Sequence, residues 1–121
     1  MAEIRRPPSI DAYGGGGFRV SGERIEGSIL ILDDTLRSWP VASRETLGVE
    51  PLAEVLAAGP RTVEFLLLGI GPKAAPPPAE VRKALQAAGM GLEVMDTATA
   101  CRLYNVLAAE GRRLAAAMIA I

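Results

Sequence analysis

Residues 63–81, VEFLLLGIGPKAAPPPAEV, decide the fold because they run an apolar strand into a glycine turn and on toward a helix. The leucines at 66–68 make the strand apolar on both faces, which is typical of a central strand covered on two sides. Residues 81–88 carry apolar side chains at helical spacing, and residues 91–95 follow as a second strand. Strand, helix and strand of this length predict a βαβ unit with two parallel strands.

The segments on either side extend this unit into an α/β domain over residues 18–121. An apolar-polar alternation predicts a hairpin over residues 18–25, and the apolar run at 29–32 predicts a more buried strand. Pro51 opens a short helix, and a third helix begins at Asp96-Thr97, either of which can cap a helix start. Residues 114–121 fit a helix by alanine content and a strand by their unbroken apolar character, and we favour the strand. Residues 1–17, which end in four glycines, are predicted to be a flexible arm and loop.

Composition excludes several functional classes. The chain has 121 residues, one domain's worth, with 13 basic and 14 acidic side chains and only two Tyr, two Phe and one Trp, a balance that argues against nucleic-acid binding. It has no His and one Cys, so a His-based zinc site, a Ser-His-Asp triad and a Cys-His pair are all ruled out. We therefore predict no metal and no cofactor, and we favour a protein that is not an enzyme.

The same composition bears on location and assembly. No apolar run approaches the ~20 residues that cross a bilayer, so we expect no membrane insertion. No leader is evident in the first residues, which gives a cytoplasmic location as the expectation. Half of the residues are apolar, so some of them can be buried in a homodimer interface.

The glycine turn formally matches a dinucleotide-binding fingerprint. Gly69 and Gly71 follow a strand with the spacing G-x-G-x-x-A, and Asp96 ends the next strand, where that fold places its ribose acid. However, Pro72 and the prolines at 76–78 delay the helix, so its N-terminus is not aimed at a pyrophosphate. A plain turn at the end of the strand is favoured.

Ligands of α/β sheets usually lie at the carboxyl ends of the strands, which here carry the glycine turn and the start of the third helix. One hypothesis is a crevice that holds a small anionic or amide-bearing ligand, or a partner's chain terminus. The other is a capped helix with a polar stripe that meets water or the chain itself, and this interpretation is favoured. The candidate binding residues are Gly69, Gly71, Asp96, Thr97, Arg102 and Asn105.

Two further features are weaker candidates. Cys101 beside Arg102 is a candidate reactive thiol, since a nearby cation lowers a thiol pKa, although a buried structural cysteine is favoured. Asp33 and Asp34 are adjacent carboxylates on a turn without an evident third ligand, so we interpret them as loop acids.

The third-helix block, residues 93–112, EVMDTATACRLYNVLAAEGR, is long and specific. Together with the Leu67-Leu68-Gly69-x-Gly71 turn and Gly27-Ser28, it resembles a small family of uncharacterised domains. That family includes the mitochondrial complex I assembly factor 3, the adipogenesis-associated protein of animals, and many bacterial and archaeal single-domain proteins. The resemblance covers roughly residues 18–121 and implies a three-layer α/β domain with a central mixed sheet, whose C-terminal strand runs antiparallel to its neighbours.

The resemblance brings no catalytic residue set. It implies a role in assembling a respiratory complex through protein contacts, because that is the role attributed to the mitochondrial members. The first hypothesis is therefore a non-enzymatic interaction domain that contacts a protein partner around the glycine turn and the third helix. The alternative is a small-molecule binding protein or enzyme that uses the crevice at the strand ends.

Overall fold

The structure is a computed structural model and describes residues 6–121. Its strands are β1 (Ile10–Gly14), β2 (Gly17–Val20), β3 (Glu23–Glu26), β4 (Ile29–Leu32), β5 (Thr35–Ser38), β6 (Phe65–Gly69), β7 (Gly91–Met95) and β8 (Leu114–Met118). Its α-helices are α1 (Ala53–Ala58), α2 (Ala79–Ala87) and α3 (Thr97–Ala109). Short 3₁₀ turns span Arg44–Thr46 and Glu50–Leu52, the second of which carries Pro51 into α1.

The central sheet has five strands in the order β5-β4-β8-β6-β7. β6 pairs in parallel with β7, which confirms the βαβ unit, and it is buried along its whole length, as the leucine run predicts. β8 confirms the strand interpretation of the C-terminal segment, and it lies between β4 and β6. It is antiparallel to β4 but parallel to β6, so the implied antiparallel orientation holds for only one of its neighbours. The reason is that α3 returns the chain to the end of the sheet where β7 began, as a crossover helix does.

Two apolar cores lie on the two faces of this sheet, and alternate residues of the same strands enter each. Leu66 and Leu68 of β6 face α1 and α2, together with the buried Trp39. Leu67 faces the other way, toward α3 and the separate three-stranded sheet β1-β2-β3, where Phe18 is buried. The domain therefore has three layers around a mixed sheet, and the predicted α/β fold class with an N-terminal hairpin layer is confirmed.

The flexible arm predicted for residues 1–17 differs from the structure over the residues that the structure describes. Residues Ile10–Gly14 form β1, which pairs with β2 so that Tyr13 lies opposite Phe18. The glycines at 14–16 all have positive φ and turn the chain between the two strands, so their conformational freedom serves a tight hairpin. The part of the arm at residues 1–5 lies outside the described residues.

The segment after β4 also has a defined geometry. Asp33 and Asp34 have φ of 50° and 61° and turn the chain into β5, which is an edge strand. Trp39 then bends inward, and its indole Nε1 donates to the Pro51 carbonyl at 2.9 Å. Trp39 and Val41 are buried and Pro40 between them is exposed, and the three residues form no strand.

Within residues 6–121, no helix has the length and apolar character that a membrane span requires. The same residues contain no cluster of three or more acidic or cysteine side chains placed to hold a metal ion.

Candidate functional site

The glycine turn is locked to the start of α3 by hydrogen bonds inside the protein. Thr97 is fully buried, and its Oγ1 accepts from the Gly71 N–H at 3.0 Å and donates to the Ile119 carbonyl at 2.7 Å. The Thr97 N–H donates to the Gly71 carbonyl at 2.8 Å. At Gly69, a Cβ would stand 2.8 Å from the Met118 sulfur and 3.0 Å from the Thr97 Cα, so any larger residue would have to displace its neighbours. These three candidates lie together in the structure, and their polar groups hydrogen-bond at the junction of three chain segments.

Asp96 is the N-cap of α3. Its Oδ2 accepts from the Thr99 N–H at 3.0 Å, and its Oδ1 accepts from the Thr99 hydroxyl at 2.7 Å. These hydrogen bonds, the side-chain one first, hold the pKa of Asp96 below its ordinary value because they favour the charged carboxylate. The residue therefore performs the capping role that its position in the sequence predicts.

Asn105 holds β1 against α3. Its Oδ1 accepts from the Ile10 N–H at 2.8 Å, and its Nδ2 donates to the Ile10 carbonyl at 2.8 Å. One helical position earlier, the Tyr104 hydroxyl donates to the Pro8 carbonyl at 2.7 Å. The polar side chains of the predicted stripe thus have different partners, and Asn105 hydrogen-bonds the protein's own N-terminal strand.

Arg102 lies on the outer side of the same helix. Its Nη1 donates to the Tyr13 hydroxyl at 3.0 Å, and Val106 lies one helical turn after it on the same face. Tyr13 and Val106 are 38% and 56% exposed, and among the described residues they are the large apolar side chains that remain open to solvent. We call Tyr13, Arg102 and Val106 the helix patch.

Cys101 faces the interior. Its side chain is 1% exposed, and burial raises the pKa of the thiol to about 12, an effect that the positive charge of Arg102 only partly opposes. The thiol is thus mostly protonated at neutral pH, which suits the structural interpretation better than the reactive one.

A crevice of about 310 Å³ does exist at the carboxyl ends of β6 and β8, but its lining differs from the prediction. Thr97, Arg102 and Asn105 do not line it. Its polar side chains come from Lys73 and from a loop that precedes α1, whose Arg44 also donates through Nε to the Pro76 carbonyl at 2.7 Å. Its lining includes Ser43, Arg44, Glu45, Ile70, Gly71, Lys73 and Ala120.

Sequence reasoning missed Tyr13, Val106 and Arg44. Tyr13 is predicted to lie in the flexible arm, although the glycines that follow it are also typical of a hairpin turn. Val106 is apolar and so gives no polar signal, but its spacing of four from Arg102 puts it on the outer stripe of α3. Arg44 belongs to a loop without periodicity, and no sequence signal connects it to the crevice.

The layers and the strand order define the chain as a three-layer α/β domain with helices on both faces of a mixed sheet. Residues 10–119 match the model of the family described as "Protein of unknown function (DUF498/DUF598)", and the chain belongs to that family.

Relatives and solved structures agree with this assignment. The chain is 34% identical over 119 residues to "NADH dehydrogenase [ubiquinone] 1 alpha subcomplex assembly factor 3" of Mus musculus, a match that covers 98% of this chain and 64% of the mouse protein. It is 38% identical to an uncharacterised protein of Rhodobacter capsulatus, with coverage of 91% and 82%. A crystal structure described as an outer membrane protein from Bartonella henselae superposes with a TM-score of 0.87 at 32% identity, covering 94% of this chain and 95% of that one.

Proposed function

We propose that this chain is a protein-interaction domain that assists the assembly of a membrane or respiratory complex, and that it contacts its partner through the helix patch. Support for an assembly role comes from relatives named as complex I assembly factors. This chain spans 64% of the length of the mouse relative, so the role of that whole protein is carried over as part of the proposal.

The observation that carries the proposal is the helix patch itself. Tyrosine and arginine are enriched at protein interfaces and dominate their energetic centres. Here a half-exposed tyrosine ring and an arginine are held together by a hydrogen bond, and the exposed Val106 extends their surface along α3. Strand pairing holds the backbone of Tyr13, and the hydrogen bond from Arg102 restrains its hydroxyl, so less side-chain freedom remains to be lost on binding.

A second candidate function is the binding of a small anionic molecule in the crevice at the strand ends. The observation that favours it is the presence of two cationic side chains, Arg44 and Lys73, beside the Gly71 turn. Cationic side chains and turn backbone are common anion-binding elements. Isothermal titration with phosphate and with a dicarboxylate would support this function only if binding is lost in an Arg44→Ala, Lys73→Ala variant.

The assembly proposal is tested by capture from cross-linked host cells, membranes included. The bait variants are Val106→Asp, which puts a charge into the helix patch, and Gln86→Asp, which puts the same charge on an exposed turn of α2 on the opposite face. Both positions are exposed, so both variants are expected to fold with stability changes of about 0.5 kcal/mol or less.

We expect a specific protein to be recovered with the wild-type and Gln86→Asp baits and to be lost with Val106→Asp. Equal recovery by all three baits would place the contact elsewhere on the domain. Failure to recover any specific protein with the wild-type bait would contradict the assembly role.

A further inference from the structure

Within residues 6–121, β7 is an outer strand of the central sheet and pairs with β6 alone. The Gly91 N–H donates to the Glu64 carbonyl at 3.0 Å, and the Met95 carbonyl accepts from the Ile70 N–H at 2.9 Å, so the odd-numbered residues direct their backbone groups toward β6. The N–H and C=O groups of Leu92 and Val94 therefore point away from the sheet. Within residues 6–121 these outward groups have no backbone partner.

A groove of about 390 Å³ runs beside this edge on the α3 side. Its apolar lining comes from Phe65, Leu103 and Leu107, and the side chain of Glu93 reaches it from β7. Leu92 and Val94 face the opposite way and pack against the core beneath α2. An added strand would thus meet an apolar groove and a carboxylate on one face of the sheet.

Among the described residues that line this groove, two are acidic and one is basic. Glu64 forms an ion pair with Arg112 at 3.5 Å, and the Arg112 guanidinium lies 5.2 Å from the centre of the Phe65 ring. Glu93 is exposed and has no ion-pair partner within the described part of the chain. An acidic side chain on the α3-facing side of an edge strand is one device by which proteins discourage unwanted strand pairing.

We propose that the β7 edge accepts an extended segment of a partner protein as a sixth strand, and that this segment carries Lys or Arg opposite Glu93. The backbone groups of Leu92 and Val94 supply the main-chain hydrogen bonds of strand addition. Apolar side chains two positions from the basic residue lie on the same face and reach Leu103 and Leu107. The inference rests on the proposed interaction function and assigns to it a binding mode and a partner chemistry.

A second copy of this chain is a poorer occupant of the same edge. In an antiparallel pair of β7 strands, the register that pairs all of Gly91–Met95 places Glu93 directly opposite the Glu93 of the other copy. Opposed residues project from the same face, and like charges directly opposite each other destabilise a strand pair. A basic residue at that position in a different protein turns the same contact into an attractive one.

The test uses a phage library of short linear peptides panned against the purified full chain. We expect enriched peptides to alternate apolar or β-branched residues with one Lys or Arg at a fixed position. Leu92→Pro removes an outward N–H without breaking the β6 ladder, and is expected to weaken these peptides at least about tenfold. Leu92→Ala trims the same side chain but keeps the N–H, so it controls for packing and is expected to bind within about threefold of wild type.

The reciprocal charge change gives a second, independent readout. Glu93 is exposed, so Glu93→Lys is expected to fold, and panning against it should enrich Asp or Glu at the position where the wild type enriches Lys or Arg. The inference is overturned if no peptide is enriched, if enriched peptides bind Leu92→Pro as well as Leu92→Ala, or if the charge preference does not reverse.

Failure of this inference can be told apart from failure of the assembly role. Leu92→Pro and Leu92→Ala are added as baits to the capture from cells. A partner that is lost with Val106→Asp but retained with Leu92→Pro would leave the assembly role standing and remove the strand-addition mode.

Discussion

Replacing Asn105 with alanine tests whether the polar stripe of α3 exists to hold β1. The amide makes two hydrogen bonds of 2.8 Å to the backbone of Ile10, whose side chain is buried. Losing two such bonds costs about 2 kcal/mol, and leaving the Ile10 backbone groups unpaired adds about 1 kcal/mol. Alanine returns about 0.5 kcal/mol through its higher helix propensity. The free energy of unfolding is therefore expected to fall by about 2.5 kcal/mol.

The assay is urea unfolding followed by circular dichroism, with Arg102→Ala as the matched control. Arg102 precedes Asn105 by three residues on α3, and its hydrogen bond to Tyr13 is exposed. The control should therefore change the free energy of unfolding by about 0.5 kcal/mol or less. Hydrogen exchange should also become faster in β1 of Asn105→Ala than in β6. If Asn105→Ala costs no more than Arg102→Ala and the β1 amides stay protected, Asn105 does not hold β1 and is open to an external ligand.

The remaining predictions concern the junction at the glycine turn and the two titratable candidates. Thr97→Val should lower the free energy of unfolding by about 2–4 kcal/mol, because it leaves buried groups of Gly71 and Ile119 unpaired, whereas Thr97→Ser keeps the hydroxyl and should cost about 1 kcal/mol. Chemical denaturation of both variants measures the difference, and equal losses would contradict the bonding role. Cys101 should react with iodoacetamide at pH 8 at least about 100-fold more slowly in the folded chain than in urea, because burial raises its pKa; comparable rates would show that the thiol is accessible. Since the pKa of Asp96 is lowered by folding, its contribution is present above its ordinary value of 3.8 and is lost as pH falls through the folded value. Asp96→Asn should therefore flatten the acid limb of the stability curve, and an unchanged limb would contradict the assigned cap.

The parts of the fold that the sequence predicted are those in which burial is local and continuous. The leucine run of β6 and the apolar residues of β8 are buried on both faces, so their sequences predict buried strands without knowledge of the neighbouring elements. The parallel orientation of β8 beside β6 could not be predicted from the apolar pattern of β8. It depends on the direction in which α3 crosses the sheet, which the residues of β8 do not encode.

The N-terminal strand was missed because its stabilising partners are distant in sequence. β1 has only Ile10 fully buried, and the clamp that fixes it comes from Asn105, 95 positions away. Glycines that are a source of chain entropy in isolation become a defined hairpin turn once both strands are paired.

The binding role of the candidate site residues stays a prediction. Gly69, Gly71 and Thr97 lie at one sheet edge in the structure, and periodicity alone can place a strand end and a helix start there. Whether a polar side chain bonds its own chain or an external molecule depends on which segment folds over it, and that information is not local. The cytoplasmic location and the homodimer stay predictions.

The most direct test of the interaction role is photo-cross-linking in host cells from position 13. A benzoylphenylalanine in place of Tyr13 keeps an aromatic ring within the helix patch, and the same residue in place of Gln86 reports on the opposite face. The account predicts that position 13 cross-links to a discrete second protein and that position 86 does not. Cross-links of equal pattern from both positions, or none from position 13, would contradict it.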